Sequence, residues 1–249
     1  MEATAVRGRL TWQAATVTSV IPETASVTSI VLDPPDWPGH RAGQHLDVQL
    51  TAEDGYTAER SYSIASAPGE PMLTLTVERL DDGEVSPYLV DELRVGDELE
   101  LRGPIGGYFV WEAELGGPLM LIAGGSGVVP LRAILRHRAQ IGSAVPARLL
   151  YSARSPAELI YREELERDGA LDAGVAVWFT LTREQPADWS GYGRRVDDEL
   201  LREVAWPADA RPLVYLCGPN GFVEAVADRL VRLGHDAARI RIERFGASG

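Results

Sequence analysis

The hydrophobic period of this chain changes once, near residues 112–118, and that change decides what it can fold into. Before it, apolar and polar residues alternate in Leu46-Asp47-Val48-Gln49-Leu50, Leu73-Thr74-Leu75-Thr76-Val77 and Leu99-Glu100-Leu101. Each stretch therefore has one apolar face, the mark of a half-buried strand in an antiparallel sheet. Turn residues at Asp33-Pro34-Pro35, Glu53-Asp54-Gly55, Ala67-Pro68-Gly69, Asp81-Asp82-Gly83 and Val95-Gly96-Asp97 separate them at a spacing suited to a small barrel. Residues 85–93 form the one short helix expected in this half.

After Gly116-Gly117-Pro118 the apolar runs become continuous: Leu119-Met120-Leu121-Ile122-Ala123, Leu149-Leu150-Tyr151, Val175-Ala176-Val177-Trp178-Phe179 and Leu213-Val214-Tyr215-Leu216-Cys217. Strands apolar on both faces belong in a parallel sheet covered on both sides. Helical patterns lie between them at 130–140, 157–167, 197–204 and 221–233, the last with Phe222, Val226, Leu230 and Leu233 on one face, and Ile240-Arg241-Ile242 closes the sheet. The chain is thus expected to carry two domains, a β domain over 9–112 and a doubly wound α/β domain over 117–249.

Charge and cysteine usage exclude several classes. A net charge of -13 opposes nucleic-acid or anionic-membrane binding, since both need dense positive charge. All 24 basic residues are arginine, which excludes lysine Schiff-base chemistry and a Walker-type phosphate loop. The single cysteine, Cys217, forms no internal disulfide and cannot supply the four thiolates of an iron–sulfur cluster, and no metal site is expected. No apolar run is long enough to span a membrane, and Met1-Glu2-Ala3-Thr4 has no signal-peptide character, so a cytosolic protein is expected, as a monomer.

Several segments carry candidate chemistry. In Arg60-Ser61-Tyr62-Ser63 the arginine suits a pyrophosphate, the ring two residues on shares its face and suits a planar cofactor, and the serine beside it suits a ring nitrogen. An ordinary edge strand with an exposed arginine reads the same way. Val77-Glu78-Arg79 is followed by Gly83-Glu84-Val85-Ser86, where a glycine turn opens a short helix whose free N–H groups suit phosphate, or simply a serine-capped surface loop. Gly124-Gly125-Ser126-Gly127-Val128-Val129-Pro130 leaves a buried strand and enters a helix, the geometry that brings backbone close to a pyrophosphate, although it is not G-x-G-x-x-G.

The next strand ends in Tyr151-Ser152-Ala153-Arg154, with no acid before Glu158 to hold ribose hydroxyls. Ser152 and Arg154, with Arg183 and Arg195, suit a 2′-phosphate instead, though each arginine equally fits a solvated surface. Cys217-Gly218-Pro219 lies at the carboxyl edge of the sheet, where open α/β sheets bind ligands, and Cys217 reads either as the border of a nicotinamide or as a small buried hydrophobe. Glu243-Arg244-Phe245 sets a carboxylate and an aromatic ring on one side of the last strand.

In order and spacing these segments resemble the ferredoxin–NADP reductase superfamily, in particular its short bacterial members, over about residues 9–246. Arg60-x-Tyr62-Ser63 is similar to the family's flavin signature, Gly83-x-x-Ser86 to its pyrophosphate motif and Gly124–Pro130 to its nicotinamide-nucleotide loop. Cys217-Gly218-Pro219 is similar to its nicotinamide-side motif and Glu243-x-Phe245 to its C-terminal acid and aromatic. The resemblance implies a six-stranded antiparallel β-barrel carrying FAD, followed by an α/β domain carrying NADPH or NADH.

It further implies flavin contacts from Arg60, Ser61, Tyr62, Ser63, Val77, Arg79, Gly83, Val85 and Ser86, with Phe245 over the ring. Nicotinamide-nucleotide contacts would come from Gly125, Ser126, Gly127, Ser152, Arg154, Arg183, Arg195, Cys217, Gly218 and Pro219. Ser63, Cys217 and Glu243 would border the reacting centre. Electrons would pass to a separate acceptor such as a ferredoxin or an oxygenase component. A free-flavin or ferric reductase with a diffusible acceptor, and a non-catalytic flavin- or nucleotide-binding module, are the competing readings.

Overall fold

The structure, a computed structural model, describes residues 10–245. Residues 1–4, residue 9 and residues 246–249, on which the expectations about the chain start and the domain limits partly fall, lie outside the described residues.

The first half holds six strands: β1 (Trp12–Thr24), β2 (Val27–Asp33), β3 (His45–Thr51), β4 (Thr57–Ser63), β5 (Leu73–Glu78) and β6 (Glu98–Ile105). They pair antiparallel in the order β4-β3-β6-β1-β2-β5. The two edges meet where Ile64 bridges Leu75 and the Ala65 N–H donates to the Thr74 carbonyl at 2.8 Å, which curls the sheet into a barrel. The alternating apolar residues point inward as the pattern requires, with Ile30, Leu32, Leu46, Val48, Leu75 and Leu101 fully buried in one cluster. The helix expected over 85–93 is a short helical segment containing one π turn, Tyr88–Glu92, that buries Leu89 in the barrel.

The second half is a parallel sheet of β7 (Leu119–Gly124), β8 (Ala147–Ala153), β9 (Val175–Leu181), β10 (Leu213–Pro219) and β11 (Ile240–Phe245), ordered β11-β10-β7-β8-β9. Helices α1 (Val128–Gln140), α2 (Arg162–Leu171), α3 (Asp198–Val204) and α4 (Asn220–Arg232) cover it. Alternate residues of β7 serve opposite faces. Leu119, Leu121 and Ala123 pack with Leu131 and Ile134 of α1, while Met120 and Ile122 pack with Leu200 of α3 and Val226 of α4. This division explains why the runs are apolar without a break. No helix among the described residues is long and apolar enough to cross a membrane.

The helix expected over 157–167 begins five residues later. Pro156–Glu158 form a single 3-10 turn, Leu159 is extended and Tyr161 adopts a left-handed conformation at φ 59°. Leu159, Ile160 and Tyr161 are all buried, and the left-handed backbone at Tyr161 keeps this stretch out of the helix, since a right-handed helix cannot run through a residue at positive φ.

The connection between the halves is itself part of the core. Phe109 and Trp111 sit among the buried residues of the parallel sheet. The Tyr215 hydroxyl donates to the Val110 carbonyl at 2.9 Å, and the Tyr108 hydroxyl donates to the Ile240 carbonyl at 3.1 Å. Farther along, Tyr161 donates its hydroxyl to Thr76 of the barrel, and burial pushes that phenol up, away from ionisation.

Candidate active site

A cleft of about 1570 Å³ runs between the exposed side of the barrel and the carboxyl edge of the parallel sheet. The barrel contributes Arg60, Ser61, Tyr62, Ser63, Arg79, Gly83, Val85 and Ser86 to its lining. The α/β half contributes Gly125, Ser126, Ser152, Arg154, Arg183, Arg195, Pro219, Glu243 and Phe245. The topology dictates this meeting: β4 lies at an edge of the barrel sheet, and β7, β8, β10 and β11 all end at one side of theirs.

On β4, Arg60 and Tyr62 pair with Val48 and Leu46 of β3, while Ser63 pairs with His45. Arg60 is held by Glu84, Nη2 to Oε2 at 2.8 Å, and Ser61 donates to Asp47 at 2.6 Å. Burial pushes the Tyr62 phenol up, so it stays neutral and its ring is available as a surface. Arg79 is bound to Asp81 and, at 2.8 Å, to Asp91. The turn between Arg79 and Ser86 is closed by the Leu80 N–H donating to Ser86 Oγ at 3.0 Å. Gly83 belongs there because a Cβ would come within 2.8 Å of that same oxygen.

At the sheet edge, Gly127 packs against the neighbouring strand so closely that a Cβ would lie 2.2 Å from the Cys217 carbonyl oxygen. Gly125, at φ 54°, has open space where a side chain would stand. This close backbone approach on one side and open space on the other is what a pyrophosphate cradle requires.

Glu243 and His45 face each other across the two halves at 3.9 Å, too far for a hydrogen bond. Burial pushes the Glu243 carboxyl up to about 7 and pushes the His45 imidazole down, so each tends toward its neutral form and the contact is not a formed ion pair. Glu243 Oε2 and Ser63 Oγ are both buried without a hydrogen-bond partner. Buried polar atoms are rarely left so, and two of them on residues lining one cleft mark where a polar ligand edge belongs.

Not every expected residue reaches the cleft. Val77 is fully buried inside the barrel, because the alternation of β5 turns it inward, and Gly127 and Gly218 are buried as backbone packing. Cys217 is completely buried in the core with Leu121 and Tyr215, and burial pushes its thiol well up. It borders Glu243 through the β10–β11 pairing, without exposing its sulfur. Conversely, His45, Phe222, Arg229 and Arg244 line the cleft unforeseen. No periodicity marks His45, whose place follows from strand pairing. Arg244 lies between two residues already singled out. Arg229 projects from α4, where it pairs with Asp198 at 3.4 Å.

The residues fit a flavin dinucleotide at the barrel side: an aromatic ring, an unpartnered hydroxyl and two arginines with a glycine turn. They fit a nicotinamide dinucleotide at the sheet edge. Fold and cleft together define a two-domain oxidoreductase built to bring a flavin and a nicotinamide nucleotide together.

Comparison with known proteins agrees. Residues 16–110 match the oxidoreductase FAD-binding domain family, and residues 121–228 match the oxidoreductase NAD-binding domain family. Ferredoxin–NADP reductase B of Sorangium cellulosum is 36% identical over 211 residues, covering 82% of this chain and 84% of that protein. The glycine betaine monooxygenase reductase subunit of Chromohalobacter salexigens is 32% identical over 211 residues, 84% of this chain. The chain spans 56% of that relative's length. Among solved structures, the FAD/NAD-binding domain of a nitric oxide dioxygenase from Vibrio cholerae is 31% identical, with a TM-score of 0.83 over 94% of this chain and 98% of that one. The chain belongs to the ferredoxin–NADP reductase superfamily of FAD- and NAD(P)-binding oxidoreductases.

Proposed function

We propose that the protein takes a hydride from NADPH, or less readily NADH, onto FAD and passes electrons to a separate protein acceptor, a ferredoxin or an oxygenase component. The observation that carries this reading is the single cleft in which Tyr62 and Ser63 of the barrel and Glu243 and Phe245 of the last strand line common space. When bound, FAD supplies a ring that accepts electrons in a pair and releases them singly. The names of two relatives, a ferredoxin–NADP reductase and a monooxygenase reductase subunit, support an acceptor of this type.

In this reading the chain orients its ligands. Tyr62 and Phe245 offer ring surfaces, and Ser63 offers its free hydroxyl to the flavin edge. Glu243 borders the nicotinamide, with Cys217 as buried support beneath it. Arg60 and Arg79 hold the flavin pyrophosphate, aided by the backbone of 83–86. Gly125 and Ser126 receive the pyrophosphate of the second nucleotide, and Ser152, Arg154, Arg183 and Arg195 receive its 2′-phosphate. None of these last three arginines takes part in a salt bridge among the described residues, which leaves their charge for an anion. The corresponding domains are residues 9–112 for FAD and 117–249 for the nicotinamide nucleotide.

Anaerobic titration of the flavin-loaded protein tests the reading. Bleaching of the flavin bands by NADPH faster than by NADH is expected, with Arg154→Ala erasing most of that difference by weakening NADPH about tenfold or more. Tyr62→Ala and Ser63→Ala should each slow the bleaching. A flavin that neither nucleotide reduces, or a protein that holds none and turns over added riboflavin, would refute it.

A further inference from the structure

Arg60 is the cation expected at the flavin pyrophosphate, and in this structure it already has an anion. The Glu84 carboxylate uses both oxygens there: Oε2 accepts from Arg60 Nη2 at 2.8 Å, and Oε1 accepts from the Tyr56 hydroxyl at 2.8 Å. Its position is set by the fold. Glu84 stands between Gly83, which packs against Leu80 and Ser86, and Val85, which is fully buried in the barrel core. A carboxylate at this point of the turn is therefore presented to the β4 edge, with two oxygens meeting two donors as a phosphate would.

The second cation is likewise taken up, Arg79 being shared between Asp81 and Asp91. Arg60 and Arg79 are thus matched by three carboxylates, and Arg102, which also lines the barrel side of the cleft, is held by Asp47 and Glu59, so no positive surplus awaits a diphosphate. On the α/β side Arg154, Arg183 and Arg195 line the cleft outside any such pair among the described residues. The Arg60–Glu84 pair is partly open to water, with the two side chains 35% and 50% exposed, so it is weak enough to be broken by a stronger anion.

We propose that Glu84 is an internal competitor for the flavin diphosphate: FAD binds by displacing the Glu84 carboxylate from Arg60, and Glu84 sets how tightly the dinucleotide is held. The proposal rests on the reading of Arg60 as the pyrophosphate ligand. Its consequence is selective. A flavin with phosphates meets the competition, whereas riboflavin, which has none, does not.

Equilibrium binding of FAD and of riboflavin to the full-length chain, followed by flavin fluorescence, tests this with Glu84→Gln and Arg60→Ala. Glu84→Gln keeps the side chain's size, removes its charge and should tighten FAD about tenfold, the factor of one charge-assisted contact, while riboflavin affinity stays at the parent value. Unchanged or weakened FAD binding in Glu84→Gln overturns the proposal, as does an equal tightening of riboflavin, which would indicate altered packing. Arg60→Ala separates the two levels. If it weakens FAD alone while Glu84→Gln has no effect, only the competition is wrong. If it leaves FAD at the parent affinity, the pyrophosphate reading falls and the proposal falls with it.

Discussion

Glu243 is the side chain whose ionisation bears most directly on the proposed chemistry. Burial lifts its carboxyl to about 7, and no positive group among the described residues offsets that burial, since the neighbouring imidazole of His45 is itself pushed toward neutrality. An oxidised nicotinamide ring is cationic and a reduced one is neutral. Binding the cation beside Glu243 favours the ionised carboxylate, so below about 7 the site must first release a proton, which costs affinity. As pH rises through that value the penalty disappears. Binding of the oxidised nucleotide should therefore strengthen roughly severalfold from about pH 6 to about pH 8, while binding of the reduced nucleotide changes little. Titration calorimetry across that range checks this, and Glu243→Gln should flatten the profile. A parent enzyme whose affinity for the oxidised nucleotide ignores pH would place the nicotinamide elsewhere.

At the level of single elements, the turn between β7 and α1 shows how little room the fold leaves. A methyl group on Gly127 would press on the Cys217 carbonyl at 2.2 Å, a backbone atom of β10, which is paired with a strand on each side. Gly127→Ala should lower unfolding stability by about 1–3 kcal/mol, read as a shifted denaturant midpoint with unchanged slope, and should loosen the nucleotide loop with it. A midpoint equal to the parent's would mean that the turn relaxes freely. The elements themselves were largely legible in the sequence. The runs at 119–123 and 213–217 are strands because both their faces are covered, and Asp197 caps α3 where a helix was expected to begin, accepting from the Leu200 N–H. What spacing could not reveal was tertiary choice. The apolar Leu159-Ile160-Tyr161 reads as helix, yet these residues form a buried link in which Leu159 is extended and Tyr161 turns left-handed. The Glu84 carboxylate reaches Arg60 across 24 residues with no pattern to announce it.

The whole molecule is held by a seam that crosses the change of hydrophobic period. Trp111 follows the last barrel strand in sequence, yet it is completely buried with Leu119 and Leu121, donates its indole N–H to the Gly116 carbonyl at 3.2 Å and lies edge-on to His137 of α1 at 6.0 Å. Phe109 meets the Tyr215 ring edge-on at 5.3 Å from the same segment. The barrel thus lends two aromatic side chains to the core of its neighbour, and the cleft that needs both halves in register inherits its geometry from that loan. Because the two cores share side chains, the protein should unfold in one cooperative transition, with loss of circular dichroism and release of bound FAD at the same denaturant concentration. Trp111→Ala removes a large buried ring and should cost about 3–5 kcal/mol, moving both transitions down together. If that variant instead melts its sheet early while flavin release keeps the parent midpoint, the barrel is an independent unit and the seam does not set the cleft.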